Sequence, residues 1–307
     1  MNNVFEKEFD FILEKTKTLS KPMRVVVAGA DAEHLLQAVF EAEAQGFAIP
    51  VLVGDEARIQ GMLKSLNLEN RKYEICGSSH EDNIVQDAID VVRNGGGDVL
   101  MRGNTSTRGF LMPLLNKSNK LIEKDVLTYV SLMKIPHYDR LLALSDAAVI
   151  VNPSIERRKL IIRNMVELLN KLGINHPNVA VLSLVEKPSF HMRDTVEAQT
   201  IARDHAANPI ADCEVVGPIT WDLVVSKEAA RLKGYDNPLC GEFDAVCVPD
   251  VMAGNILVKA LMMSAHVNSC GIVAGATVPI ALNSRSNSVE QAFLSLATCA
   301  ALLQAKK

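Results

Sequence analysis

Nowhere does this sequence run apolar and uncharged for the roughly 18 residues that a membrane-spanning helix needs. The opening segment MNNVFEKEFDFILEKTK is amphipathic, carries acids and lacks an apolar core with a cleavage site, so it does not read as a secretory signal. There is no basic tract. Lysine plus arginine number 32 against 36 aspartate plus glutamate, a net charge of 32 − 36 = −4, which points away from nucleic acid as a partner. The cysteines at 76, 213, 240, 247, 270 and 299 form no CxxC pair, and they read as reduced core thiols of a cytoplasmic protein rather than disulfides or metal ligands. Seven histidines show no HExxH and no close pair with metal spacing, so no metal site is expected. The first strand ends in Ala28-Gly-Ala-Asp without GxGxxG, and no GxxxxGK[ST] occurs, which weakens dinucleotide and P-loop readings. Ser189 and Ser226 stand in no GxSxG context.

What is present is an alternation of short β-branched runs with longer helical patterns, in a chain of 307 residues with 48% hydrophobic residues. That length suits one large or two medium domains. Strands are expected at 24–28, 50–53, 73–76 and 98–101, with helices at 33–45, 58–66, 84–93 and 109–115. Further on, helices are expected at 155–172, 195–207, 223–232, 256–265 and 289–303, and strands at 179–185, 213–216 and 245–248. The pattern is that of βαβ units, hence an α/β fold with a mostly parallel sheet. It changes twice. Leu141–Leu144 and Ala147–Val151 read as two paired strands, and the apolar run Gly271–Leu282 breaks at Gly275. Read as crossings, these give a first α/β lobe from 1–138 plus 280–307 and a second from 139–279, with a central cleft where small-molecule sites concentrate.

Three strand-to-helix junctions carry candidate chemistry. In Ala281-Leu-Asn-Ser-Arg-Ser-Asn-Ser, a strand ends near Asn283, and Ser288 with Gln291 fits a capping box at the start of a helix. Ser284, Arg285 and Asn287 therefore lie at the carboxyl end of a strand and the amino end of a helix, where backbone N–H groups, dipole and guanidinium all suit phosphate. A capped helix with a solvated arginine describes the same pattern. The second junction, Met101-Arg-Gly-Asn-Thr-Ser-Thr-Arg-Gly, offers Arg102, Asn104, Thr105, Ser106 and Thr107 as groups for an anion cradle. The third, Val248-Pro-Asp-Val-Met-Ala-Gly-Asn, places Asp250 and Asn255 at the same kind of edge, although a lone aspartate there also serves as an N-cap.

Together these segments resemble the phosphate acetyltransferase and phosphate butyryltransferase family, from about Met23 to the last helix. The resemblance rests on Val99-Leu-Met-Arg-Gly, Ser145-Asp-Ala-Ala, Asp212-Cys-Glu-Val-Val-Gly-Pro, Pro249-Asp-Val-Met-Ala-Gly-Asn and Asn283-Ser-Arg, and it is closer to the butyryl branch. It implies two α/β/α lobes with a cleft, like isocitrate and isopropylmalate dehydrogenases. It also implies reversible transfer of a short acyl group between coenzyme A and inorganic phosphate. Ser284 would position the coenzyme A sulfur and Arg285 the phosphate or acyl phosphate, with Asn255 and the 102–107 loop lining the cleft. Coenzyme A, acyl-CoA, phosphate and acyl phosphate are then substrates or products, with no permanently bound cofactor. The partners exclude nucleic acid and membrane, and the assembly expected is a homodimer or higher homo-oligomer. In the acetyl branch an acid stands seven residues after the serine; here that position is Gln291, which cannot be a base. Arg102 stands where the butyryl branch often has lysine, keeping charge and changing geometry.

The resulting expectation is a ternary complex in which the coenzyme A thiolate attacks the acyl phosphate carbonyl, with no covalent enzyme intermediate. The alternatives are a phosphate acetyltransferase, a metal- and nicotinamide-dependent dehydrogenase on the same fold, and a non-catalytic acyl-CoA-binding protein.

Overall fold

Apolar runs in the first 115 residues form parallel strands, buried except at the 74–77 edge, and the stretches between them form helices that cover those strands. The structure is a computed structural model describing residues 3–78, 80–123 and 125–305, so the first two residues of the opening segment lie outside it. The chain divides into two compact units, Met1–Leu127 with Cys270–Lys307, and Thr128–Ser269.

Along the chain come α1 (Asn3–Thr16), β1 (Met23–Ala28), α2 (Glu33–Ala44), β2 (Ala48–Gly54), α3 (Glu56–Ser65), β3 (Glu74–Gly77), α4 (Ile84–Arg93), β4 (Val99–Arg102) and α5 (Thr107–Leu115). The second unit holds β5 (Thr128–Lys134), β6 (Leu141–Ser145), α6 (Ile155–Leu172), β7 (Asn178–Leu182), α7 (Arg193–Ala207), β8 (Glu214–Ile219), α8 (Trp221–Val225), α9 (Lys227–Lys233), β9 (Ala245–Cys247) and α10 (Val251–Ser264). The chain then passes through β10 (Asn268–Ala274) and ends with β11 (Ile280–Ala281) and α11 (Val289–Gln304).

In the first unit the strands run β3-β2-β1-β4-β11-β10, with β10 and β11 antiparallel and the other pairs parallel. In the second they run β5-β6-β9-β7-β8, with β5 and β6 antiparallel and the rest parallel. A parallel strand buried on both faces reads as a continuous apolar run, which is why MRVVVA and AIPVLVG are almost wholly buried. The second unit closes on a core that includes Met133, Leu142, Leu144, Ile219, Phe243, Val246 and Val248, and buries the Tyr138 hydroxyl as a donor to Phe243 O at 2.6 Å. Each such fully buried large apolar side chain contributes about 1.5–3 kcal/mol.

Four local readings change. Thr128–Lys134, expected as no element, is a strand, and it is β5 rather than Ala147–Val151 that pairs with β6. Ala147–Val151 is not a strand because the Asp146 carboxylate takes the amide protons of Ala148, Val149 and Ile150 at 2.8, 2.9 and 3.3 Å, which coils the chain instead of leaving those donors for a neighbour. The helix expected from Ile256 begins at Val251, because Asp250 caps it. The stretch 223–232 is two helices, broken where Ser226 ends one and caps the next.

Candidate functional site

Register decides which polar segments meet in the first unit. Leu100 and Met101 of β4 lie beside Ile280 and Ala281 of β11, and Ala28 of β1 lies beside Arg102. The residues leaving β4 and β11 at their carboxyl ends are therefore neighbours. In open α/β sheets this is the edge that binds ligands.

From β4 the chain turns sharply. Gly103 N donates to Ala28 O at 2.9 Å and Asn104 N to Gly29 O at 2.7 Å. A Cβ on Gly103 would lie 2.0 Å from Gly29 O, so only glycine fits this approach. Ser106 Oγ accepts from Gly109 N at 2.9 Å and caps α5. Asn104, Ser106 and Thr107 are exposed, while Thr105 is half-buried and its Oγ1 is enclosed without a hydrogen-bond partner. Arg102 is only 4% exposed. Its Nε and Nη2 donate to Thr105 O at 3.1 and 2.6 Å, and its Nη1 donates to Asn283 O at 3.0 Å.

From β11 the chain enters a tight polar turn. Ser284 N donates to Asn287 Oδ1 at 2.9 Å, and Asn287 N returns to Ser284 O at 3.1 Å. Ser284 Oγ and Ser286 Oγ are 3.0 Å apart. The capping box exists: Gln291 N donates to Ser288 Oγ at 3.2 Å, and Ser288 N donates to Gln291 Oε1 at 3.1 Å. Gln291 thus completes the helix start. Arg285 is exposed and has no hydrogen bond or ion pair among the described residues. A guanidinium at the start of a 16-residue helix is equipped to receive an anion.

Two residues outside the expected set hold this turn. Asn283, 3% exposed, accepts at Oδ1 from Ser295 Oγ at 2.9 Å, which leaves its enclosed Nδ2 without a partner. Ser295, fully buried in α11, also accepts from Gly271 N at 3.2 Å. In sequence Ser295 passes as a small core residue of an apolar helix. Asn283 passes as the end of a strand.

Asp250 and Asn255 belong to the second unit. Asp250 Oδ1 accepts from Ala253 N at 2.8 Å and is the N-cap of α10. Asn255 is exposed and its Nδ2 donates to Ala147 O at 3.1 Å. Gly254 beside it allows α10 to approach the 146–147 backbone, since a Cβ there would lie 2.7 Å from Asp146 O. The Ala-Gly-Asn and Ser-Asp-Ala-Ala segments thus fit one another. Asp146 is 2% exposed; burial pushes its carboxyl up to about 6, against the opposing pull of N–H donors from Ala148, Val149, Tyr129 and Ile150. Among the described residues no group of three or more His, Cys, Asp or Glu is arranged to hold a metal ion.

Residues 80–300 match the phosphate acetyl/butaryl transferase family. The chain belongs to this family. It is 33% identical to a phosphate acetyltransferase of Thermotoga maritima over 91% of this chain and 95% of the relative. It is 32% identical to a phosphate butyryltransferase of Clostridium beijerinckii over 96% of this chain and 97% of the relative. A branched-chain phosphotransacylase of Enterococcus faecalis V583 superposes with a TM-score of 0.79 at 28% identity, covering 92% of this chain and 99% of that one. A 4-hydroxythreonine-4-phosphate dehydrogenase of Klebsiella pneumoniae, at 13% identity and a TM-score of 0.53 over 93% of this chain and 99% of its own, shares the fold alone. The chain is a phosphate acyltransferase on a dehydrogenase-like α/β fold with mostly parallel strands.

Proposed function

We propose that the enzyme reversibly transfers a short-chain acyl group, butyryl or similar, between coenzyme A and inorganic phosphate through a ternary complex, with Ser284 and Arg285 at the reacting centre. The observation that carries this is the exposed Arg285 guanidinium, without hydrogen bond or ion pair among the described residues, between the Ser284 turn and the capped start of α11. In the direction of acyl-CoA synthesis, the thiolate sulfur attacks the carbonyl carbon of the acyl phosphate. The C–S bond forms, the C–O bond to phosphorus breaks, and phosphate departs with the electron pair. A free thiol with a pKa of about 8.5 is only a few per cent thiolate at neutral pH. Arg285 and the helix dipole raise that fraction and take up charge on the leaving phosphate, while Ser284 Oγ donates to sulfur or to the tetrahedral oxyanion. Gln291 is engaged by Ser288, so in this reading the positive field replaces a side-chain base.

Asn104, Thr105, Ser106, Thr107, Asn287, Asp250 and Asn255 belong to the same proposal as substrate-binding residues. So do coenzyme A as a substrate rather than a resident cofactor, a cytoplasmic setting, and a homodimer or higher homo-oligomer, which sedimentation of the purified chain measures. Relatives named for acetyl and for butyryl match at similar identity, so phosphate acetyl transfer is the alternative chain length.

The test is phosphate-dependent release of thiol from a panel of acyl-CoA substrates by wild type and Arg285→Ala. The expected result is release by wild type and a loss of about 10²–10³ in kcat for the variant, the scale of one deleted oxyanion donor. Near-wild-type turnover by Arg285→Ala would remove it from the reacting centre. Tight binding of acyl-CoA without release would support a non-catalytic binding protein.

A further inference from the structure

Arg102 stands in the 102–107 segment as a cation beside the anion site, and its obvious role is to bind phosphate. Its surroundings give it another. It is 4% exposed, and Nε, Nη1 and Nη2 all donate to backbone carbonyls. The two carbonyls lie 178 positions apart in sequence (283 − 105), on the segments leaving β4 and β11. Thr105 O accepts from Nε and Nη2 and Asn283 O accepts from Nη1, and Asn283 directly precedes Ser284.

The two residues held this way share another property. Thr105 Oγ1 and Asn283 Nδ2 are both enclosed and lack a hydrogen-bond partner among the described residues. Enclosed polar atoms without partners are costly and persist where the surrounding structure fixes them. The Asn283 amide is fixed on its other side as well, by Ser295 Oγ. Gly29 and Gly103 bring the β1 end and the 103–107 segment into contact, so the loop is braced from behind while Arg102 ties it across to β11.

We propose that Arg102 is a positioning residue of the acyl-transfer site: its guanidinium staples the 103–107 loop to the strand end that presents Ser284 and Arg285. This rests on the reading that Ser284 and Arg285 form the reacting centre. A planar fork with fixed donor directions holds two carbonyls at once, whereas a lysine ammonium is a point charge without that geometry. Arg102 therefore acts on rate through the placement of Ser284, and substrate affinity depends on it little.

The experiment compares wild type, Arg102→Lys and Arg102→Ala in thiol-release kinetics and in backbone hydrogen–deuterium exchange of the purified chain. For Arg102→Lys the expected result is a fall in kcat of about ten- to hundredfold, the scale of a misplaced reacting group. KM for phosphate and for acyl-CoA should each stay within about threefold of wild type, as expected when uniform binding is intact. Exchange should quicken in both 103–107 and 283–287. In Arg102→Ala the kinetic loss should be larger, and added guanidinium should restore part of it. If Arg102→Ala does not fold, Arg102→Lys decides alone. Wild-type kcat in Arg102→Lys would overturn the proposal, because charge would then suffice. So would a rise confined to KM for phosphate, which would make Arg102 a phosphate ligand, or unchanged exchange in both segments. Exchange is read without turnover. A wild-type protein inactive with every acyl-CoA would therefore count against the functional reading, while quickened exchange would still support the staple.

Discussion

Asp146 shows how one side chain shapes both the chain path and the response to pH. Its carboxylate gathers the amides of Tyr129, Ala148, Val149 and Ile150, and the run after β6 coils for that reason. An apolar run such as Ala-Ala-Val-Ile-Val reads as a strand when the aspartate before it is taken as a turn residue, so this departure from expectation was invisible to patterning. The group's pKa is raised by burial to about 6 from an ordinary 3.8. A raised folded-state value means that the folded form binds the proton more tightly than the unfolded chain. The associated stability is present below about pH 4 and lost as pH climbs to about 6. The full difference, about two pKa units, is on the order of 3 kcal/mol. Asp146→Asn should be less stable at every pH, because the amide turns an N–H group toward backbone donors. The gap between wild type and variant, from chemical denaturation at pH 4 and pH 7, should be wider at pH 4. A gap of equal size at both would show that Asp146 does not titrate in this range.

At the scale of elements, the order of strands and helices and the capped start of α11 were legible, while several helix starts and the sheet edges were not. Ser288-x-x-Gln291 specified a capping box, and both of its hydrogen bonds are present. The alternation of β and α elements was readable because parallel strands are unbroken apolar runs and helices repeat at 3.6 residues. β5 was not, since TYVSLMK mixes polar and apolar residues without strict alternation and takes its partner, β6, across a turn lacking a hairpin signature. Asn283 and Ser295 were missed because their importance lies in one another, 12 positions apart and within hydrogen-bond reach only once α11 packs beside β10 and β11. The box also fixes a role. Gln291→Ala should cost about 0.5–1.5 kcal/mol of stability, the net worth of one hydrogen bond, and leave kcat within about threefold. A hundredfold loss of kcat with stability retained would make Gln291 a participant in the reaction.

Across the whole molecule the six cysteines are all free, and their distribution bears on how the activity is measured. Five are buried, and Cys76 in β3 is partly exposed. Desolvation pushes the thiols of Cys213 and Cys270 up to about 12 and raises those of Cys240, Cys247 and Cys299 as well. Because the thiolate is the nucleophile, a buried thiol with a raised pKa is doubly protected: it is rarely ionised and rarely reached. Burial and not pairing is what keeps these groups inert, so their protection should vanish with the fold. An aromatic disulfide reagent should therefore titrate one thiol per chain in the native protein at pH 8 and six in denaturant. Cys76→Ser should bring the native count to zero and leave phosphate-dependent thiol release unchanged, since β3 contributes none of the proposed site residues. Rapid reaction of a second thiol in the native protein would mean that one of the buried cysteines opens to solvent under native conditions. It would also set a limit on using the same reagent to follow coenzyme A release.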